Sequence, residues 1–286
     1  MQKRAPLVSR ETLLPFILLT ICFAAWGVAA NMTDPLVKVF SKIFTMSSLQ
    51  SALVQFAYYG AYFCLAIPAA FINKRFSYKT GVLTGLGCAA AGAFLFYPAS
   101  QTMTYGFFLL ALFVLAGGLS ILETSANPYV MAMGCEQSAT RRLNLAQAFN
   151  PVGTNLGVFL AATLILPNLN QASAEQRASM SAAELKSVIG AELDAVMVPY
   201  VGMAFVLVMV WIAIACIKTP VNESTEQRAE NIQLGASLKR LMLNRHYRFG
   251  VLAQFFNVGA QTCVWTFTIQ YAMAAIDGNE VDGGQV

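Results

Sequence analysis

The sequence is poor in charged residues. Only 11% of its 286 residues are Asp, Glu, Lys or Arg, whereas soluble domains carry about 25%. Hydrophobic residues make up 57% of the chain, and the mean hydropathy is +0.58. This composition excludes an intrinsically disordered chain, argues against a soluble enzyme and predicts a membrane protein with several spanning helices.

The chain also lacks the residue patterns of metal and cofactor sites. His246 is the only histidine, and the six cysteines occur singly, without metal-ligand spacing. No phosphate-binding loop, HExxH motif, nucleophile elbow or dinucleotide-binding fingerprint is present. We therefore expect no metal and no other cofactor. The net charge of +4 follows from the loops of a membrane protein and gives no support for nucleic-acid binding.

What the sequence has instead is a series of long uncharged runs. Each is at least as long as the roughly 20 residues that a spanning helix needs. The runs cover residues 12–33, 43–73, 80–122, 143–174, 195–217 and 249–276. A turn-rich segment at 97–106 divides the longest run. The sequence thus predicts seven helices, near 12–37, 48–73, 79–97, 104–133, 143–167, 196–217 and 248–275.

The basic residues predict the orientation of the chain. The N-terminus and the second, fourth and sixth connections together carry 14 of the 18 Lys and Arg residues, and the alternate connections carry four. Cytoplasmic loops are the ones enriched in Lys and Arg, so we expect a multi-pass protein with a cytoplasmic N-terminus.

Two polar segments organise the chain into domains. We expect a six-helix bundle over 1–217, a cytoplasmic linker over 218–247, and one further helix with a short tail over 248–286. Ser181 and Glu184 have capping-box spacing and predict a short surface helix in the outer segment 168–195. The stretch "SLKRLMLNRHYR" (237–248) is basic and amphipathic, which is typical of a helix on the lipid surface; a regulatory partner site is the alternative.

Polar side chains recur within the predicted helices at positions i, i+3 and i+7, which share one helix face. The sets are Gln55, Tyr58 and Tyr62; Ser120, Glu123 and Asn127; Gln147, Asn150 and Thr154; and Gln254, Asn257 and Gln261, with Asn31 and Asp34 on the first helix. Such groups avoid lipid and face inward. They form either interhelical hydrogen bonds or a wet cavity that matches hydroxyl groups, and four complete stripes favour the cavity.

Two carboxylates, Asp34 and Glu123, are the only acidic residues within the predicted helices. Glu123 falls near the bilayer middle, whereas Asp34 lies nearer the outer end and is interfacial in the alternative interpretation. An ionised carboxylate at mid-membrane costs at least about 2.5–3.5 kcal/mol, and neutralising it at pH 7 costs about 3.7 kcal/mol. Because these costs are similar, Glu123 suits the loading and release of protons. A permanently neutral or hydrogen-bonded structural glutamate is the alternative.

A catalytic role for these carboxylates is disfavoured. An intramembrane aspartyl protease needs two facing aspartates, and Asp34 is the only aspartate within the predicted helices.

Several motifs resemble those of one transporter family. The segments "NMTDPL" (31–36), "LETSANPYV" (122–130) and "RLNLAQAFNPVGTNLG" (142–157) resemble the fucose–galactose–glucose proton symporters of the major facilitator superfamily. The segments "INKRFSYKTGVLTGL" (72–86) and "RFGVLAQFFNVGAQT" (248–262) extend the resemblance, which covers residues 13–272.

The resemblance implies an all-α fold, namely the N-terminal six-helix bundle of that superfamily plus the first helix of the second bundle. It implies alternating access and proton-coupled symport of a neutral monosaccharide, L-fucose or a related hexose, across a bacterial inner membrane. Glu123 and Asp34 would couple the proton. The expected partners are the sugar, protons and the lipid bilayer, with the carrier acting as a monomer. The expected sugar-binding residues are Asn31, Asp34, Glu123, Asn127, Gln147, Asn150, Gln254 and Gln261.

The chain departs from the superfamily pattern in two places. Lys74 stands where the loop after the second helix usually carries an acidic residue, so the inner-gate charge pairing is expected to be missing. The family has twelve helices and this sequence predicts seven, so we expect a shortened chain. A transport-inactive fragment or a non-transporting sugar sensor is therefore the alternative function.

Overall fold

A computed structural model describes residues 6–43, 48–168, 170, 172, 176–177, 179–217 and 234–275. Side chains are described within these ranges except at 33–43, 48–52, 166, 234, 237, 262 and 265–275. This part of the chain is helical, without strands. The helices are α1 (Leu13–Ile43), α2 (Ser48–Arg75), α3 (Tyr78–Thr102), α4 (Tyr105–Ala132), α5 (Ala139–Gln147), α6 (Phe149–Leu160), α7 (Ala182–Cys216), α8 (Leu234–Leu243) and α9 (Arg245–Ala275).

The predicted membrane spans are helices. Among the described residues, six segments are long and apolar enough to cross a bilayer. They are Leu13–Met32, Leu53–Arg75, Tyr78–Thr102, Tyr105–Ala132, Glu136–Ile165 and Ala182–Cys216. They match the first six predicted spans, and the seventh predicted span lies within the 31-residue helix α9. The chain is a multi-pass membrane protein.

The connection between α3 and α4 is much shorter than predicted. The segment 97–106 was expected to be a loop, but α3 continues through Pro98 to Thr102, and only Met103 and Thr104 separate the two helices. Met103 makes the turn in the left-handed region, with φ of 49°, and its N–H bonds to the Ser100 carbonyl. The turn-rich composition of this segment was therefore misleading, because helix-to-helix packing overrides local propensity.

The capping box at Ser181 is present, since the Ser181 hydroxyl accepts from the Glu184 N–H and the Glu184 carboxylate accepts from the Ser181 N–H. The prediction of a separate short helix is wrong, because α7 continues for 35 residues, past Pro199. At 1.5 Å per residue, α7 is roughly 50 Å long and exceeds the roughly 30 Å hydrocarbon layer. Glu192 and Asp194 thus also lie in a helix, so Asp34 and Glu123 are not the only acidic residues in helices.

The fifth predicted helix is interrupted. It was expected to run unbroken from 143 to 167, but α5 ends at Gln147 and α6 begins at Phe149. Pro151 explains the break, because it has no N–H to donate to the Gln147 carbonyl four residues earlier. After α6 the helix widens to a π-turn at Ala161–Ile165.

The interior of the bundle is held by close helix contacts. In the structure α3 packs on α4 and α7, α1 packs on α6, and α2 packs on α4. A Cβ atom at Gly85 of α3 would lie 2.5 Å from the backbone nitrogen of Leu122 on α4, so a larger residue would force these helices apart. Small residues such as Gly85 are typical of positions where membrane helices approach closely. The ring centroids of Phe96 on α3 and Tyr200 on α7 lie 4.6 Å apart. The Tyr200 hydroxyl also donates to the Met32 carbonyl of α1 at 2.8 Å.

The chain divides into two compact units, Met1–Glu226 and Gln227–Val286. Helices α1 to α7 belong to the first unit, and α8 and α9 belong to the second. The division into a bundle that ends at 217, a linker over 218–247 and a final helix from 248 remains a prediction.

Candidate functional site

The polar face of α4 forms the centre of the candidate site. Ser120, Glu123 and Asn127 follow one another on this face, as the i, i+3, i+7 spacing predicts. The Ser120 hydroxyl is buried and donates to the Tyr62 carbonyl of α2 at 3.2 Å. Glu123 is half-buried, and its carboxylate has no hydrogen bond or ion pair within the described part of the chain. A carboxylate without such a partner remains available to a proton or a ligand.

Aromatic side chains of α1 and α2 meet next to the polar face of α4. The indole nitrogen of Trp26 donates to the Tyr62 hydroxyl at 2.9 Å. The Tyr62 carbonyl accepts from Ser120, which lies three residues before Glu123 on the same face. The rings of Tyr58 and Tyr62 lie 5.3 Å apart, and that of Tyr59 stands edge-on to Tyr58 at 5.4 Å. Flat apolar rings with polar edges can pack against the apolar face of a sugar ring.

Two glycines bring α1 and α6 into backbone contact. A Cβ atom at Gly153 would overlap the carbonyl oxygen of Ala24, and one at Gly27 would lie 2.9 Å from the Thr154 nitrogen. Because the helices approach so closely, the Asn150 side chain of α6 reaches the Phe23 carbonyl of α1 at 3.3 Å. Gly153 and Gly157, four residues apart, thus have the small-residue spacing that allows close contact between membrane helices.

Asn31 makes the reciprocal contact from α1 to α6. Its amide nitrogen donates to the Thr154 hydroxyl at 3.0 Å and to the Gly27 carbonyl, one turn earlier on α1, at 3.1 Å. Asn31 and Asn150 thus lie on facing helices, each half-buried.

Gln147 joins α5 to α4. Its amide nitrogen donates to the Asn127 side-chain oxygen at 3.0 Å. Asn127 lies one turn along α4 from Glu123, so this bond places two amides next to the carboxylate. Gln147 is exposed at the end of α5, where the Pro151 break turns the chain into α6.

The amide groups retain hydrogen-bonding capacity. Asn31, Gln147 and Asn150 each donate to another helix, and no described residue donates to their side-chain oxygens. A sugar hydroxyl could donate to each of these oxygens, while the remaining N–H groups could donate to the sugar. The interhelical hydrogen bonds are therefore present at these three amides, and the cavity that matches hydroxyl groups remains a prediction.

Three of the predicted site residues are not tested by the described structure. The backbone of α1 includes position 34, but the side chain of Asp34 lies outside the described residues. Gln254 and Gln261 are exposed on α9, in the second compact unit. Their roles in the site remain predictions.

Trp26 is the site residue that the sequence reasoning missed. It lies off the face marked by Asn31, so the periodic pattern did not include it. The residue type alone could have indicated it. A tryptophan within a bundle needs an acceptor for its indole N–H, and the Tyr62 hydroxyl is that acceptor.

Arg142, one of the basic residues counted in the fourth connection, holds α5 in place. It is fully buried, and its guanidinium uses all of its N–H groups within the protein. The acceptors are the carbonyls of Leu7, Val130, Met131 and Cys135 and the hydroxyl of Ser138, at 2.6–3.2 Å. The cation thereby neutralises the partial negative charge at the end of α4 and fixes the start of α5 beside it.

Comparison with known proteins shows relatives along nearly the whole chain. The L-fucose-proton symporter of Haemophilus influenzae is 43% identical over 273 residues, which are 94% of this chain and 63% of that protein. The L-fucose-proton symporter of Escherichia coli is 41% identical over 271 residues, and a glucose/galactose transporter of Brucella abortus is 36% identical over 253. No family model matches the chain.

A solved structure has the same fold. The crystal structure of a major facilitator superfamily transporter, FucP, in the outward conformation superposes with a TM-score of 0.80 at 40% identity. It covers 93% of this chain and 64% of the FucP chain. The chain thus spans less than two thirds of the length of these relatives.

The fold and the relatives together define the class of protein. Over 93% of its length, the chain has the fold of a major facilitator superfamily transporter. The relatives described above are L-fucose-proton symporters and glucose/galactose transporters, as the motifs of helices α1, α4 and α5–α6 predict.

Proposed function

We propose that this protein works in proton-coupled symport of a neutral monosaccharide, L-fucose or a related hexose. The observation that carries the proposal is the placement of Glu123, a half-buried carboxylate without a described partner, one turn from the Asn127–Gln147 pair. The relation to L-fucose-proton symporters supplies the substrate class.

The proposed coupling follows from the surroundings of Glu123. In its neutral form the carboxyl group can donate one hydrogen bond and accept others, which matches a sugar hydroxyl. In its ionised form it loses that donor and is costly to desolvate. Sugar binding that excludes water from this face therefore favours the protonated state, so sugar and proton bind together and leave together.

The remaining predicted residues complete the proposed site. Asn31, Asn150 and Gln147 offer amide groups to sugar hydroxyls, and the Tyr58 and Tyr62 rings offer an apolar surface. Asp34 is proposed as a second proton-coupling and sugar-binding carboxylate. Gln254 and Gln261 of α9 are proposed to contribute amides from the second unit.

The setting of the proposed function is a bacterial inner membrane. The excess of Lys and Arg at the N-terminus and in the even-numbered connections supports a cytoplasmic N-terminus. The chain is proposed to act as a monomeric carrier without enzymatic activity or a cofactor, in keeping with relatives that are transporters.

Calorimetric sugar binding to the purified chain tests the proposal. We expect binding of L-fucose, galactose or glucose, weakened about tenfold by Asn150→Ala through loss of one hydrogen-bonding group. Asn155→Ala is the matched control, because Asn155 is exposed on the same helix and bonds only to the Pro151 carbonyl. An absence of binding at millimolar sugar, or equal effects of the two substitutions, would overturn the proposed function.

A further inference from the structure

Helix α8 carries an exposed apolar stripe. Leu238, Leu241 and Met242 occupy positions i, i+3 and i+4, which lie along one side of a helix. The side chains of Leu238, Leu241 and Met242 are 55%, 39% and 53% exposed. Such a stripe on a short helix requires an apolar surface to cover it.

The side of α8 away from this stripe is basic. Lys239 and Arg240 are exposed and form no ion pair within the described residues. Arg245 and Arg248 follow in the first turn of α9, and no acidic residue occurs between 234 and 275. The surface that covers the stripe must therefore also accept several positive charges.

A single residue separates α8 from the long helix α9. The Asn244 side chain accepts from the His246 N–H at 3.0 Å, which caps the start of α9. The Asn244 N–H bonds to the Leu241 carbonyl at 3.0 Å, which closes the end of α8. Because α9 contains the seventh predicted span, α8 is predicted to end close to the membrane surface.

We propose that α8 lies in the plane of the membrane surface and binds anionic lipid headgroups. The stripe of Leu238, Leu241 and Met242 inserts at the acyl boundary, and Lys239 and Arg240 reach the phosphate groups. The charge complementarity selects a lipid surface, since it offers negative headgroups directly above an apolar layer. The proposal is independent of the sugar-binding function.

Hydrogen–deuterium exchange of residues 234–243, in the whole chain reconstituted in nanodiscs, tests this inference. We expect slower amide exchange in discs that contain phosphatidylglycerol than in discs of phosphatidylcholine alone. Replacing Lys239 and Arg240 by Gln removes two charges. We expect this to lower the ratio of the exchange rates in the two kinds of disc by up to about thirtyfold. High salt removes the difference as well, since the screening length falls from about 10 Å at 0.1 M to about 3 Å at 1 M.

A charge-matched control comes from the first unit. Arg141→Gln combined with Lys186→Gln also removes one arginine and one lysine from exposed positions. We expect the amide exchange of residues 234–243 to stay unchanged in this variant. Leu238→Ser with Leu241→Ser reduces protection in both kinds of disc, because the apolar anchor is lost. Equal protection in the two lipid mixtures for the unaltered chain would overturn the proposal and indicate a protein surface as the partner of α8.

Discussion

The side-chain amide of Gln147 donates a 3.0 Å hydrogen bond to the side-chain oxygen of Asn127 and so joins α5 to α4 one turn from Glu123. This bond is made at the end of α5, where Pro151 prevents the helix from continuing. The helix break and the polar pair thus belong to one arrangement, which sets two amides beside a carboxylate in a membrane bundle.

A double-mutant cycle measures the strength of this pair. We expect Asn127→Ala and Gln147→Ala to be coupled by about 0.6 kcal/mol in the free energy of unfolding, the average for interhelical hydrogen bonds in membranes. The measurement is denaturant unfolding of the two single variants and the double variant in detergent. Strict additivity of the two substitutions would show that the bond contributes nothing to the bundle.

Arg142 is expected to be a major stabilising residue. Arg142→Ala removes five hydrogen bonds, which go to four carbonyls and the Ser138 hydroxyl, and each buried group that is left unsatisfied costs about 1–3 kcal/mol. We expect a loss of at least about 3 kcal/mol in the free energy of unfolding. The neighbouring Arg141 is exposed, so Arg141→Ala should stay within about 0.5 kcal/mol. Equal stability of the two variants would contradict the role assigned to Arg142.

A buried ion pair holds the segment that precedes α7. Arg177 and Glu192 are 2% and 1% exposed, and a second N–H donor, the backbone of Asn170, bonds to Glu192 at 2.9 Å. Glu192→Gln leaves the Arg177 charge buried without a counter-charge, and we expect a loss of about 3–5 kcal/mol.

Two comparison variants make this ion-pair prediction specific. Asp194→Asn changes an exposed carboxylate on the same helix and should have little effect on thermal unfolding. Replacing both Arg177 and Glu192 by Leu should recover part of the stability, because neither charge then remains unpaired. If Glu192→Gln unfolds at the same temperature as Asp194→Asn, the pair does not stabilise the fold.

Gly153 sets the distance between α1 and α6. Gly153→Ala would place a Cβ atom on the Ala24 carbonyl oxygen, and we expect a loss of about 1–3 kcal/mol through forced separation of the helices. The Asn31–Thr154 and Asn150–Phe23 bonds should weaken together, so sugar binding should fall with stability. Gly202→Ala, which meets no atom within 4 Å, should be neutral or stabilising by up to about 1 kcal/mol. A Gly153→Ala variant as stable as Gly202→Ala would contradict this packing.

Much of the fold could be predicted from the sequence because lipid imposes a simple rule. Every spanning segment must be helical and apolar, so long uncharged runs located the helices. The boundaries that failed depend on tertiary packing. Local composition predicted a loop over 97–106, yet α3 continues to Thr102, and the capping box at Ser181 begins a helix that does not end before Cys216.

The candidate site was predictable where polar residues repeat on one face, as for Glu123 and Asn127 on α4. Sequence periodicity places side chains on a face but not against particular partners. The Trp26–Tyr62 bond and the buried guanidinium of Arg142 depend on contacts between residues far apart in the chain. A basic residue in a connection has the same sequence signal whether it is solvated, as Arg141 is, or buried, as Arg142 is.

Proton uptake on sugar binding tests the central role of Glu123 most directly. Calorimetric titration of the purified chain in buffers of different ionisation enthalpy gives the number of protons taken up per sugar bound. We predict an uptake of up to about one proton for the unaltered chain and for Glu184→Gln, which changes an exposed capping carboxylate, and none for Glu123→Gln. Undiminished proton uptake in Glu123→Gln would contradict the account.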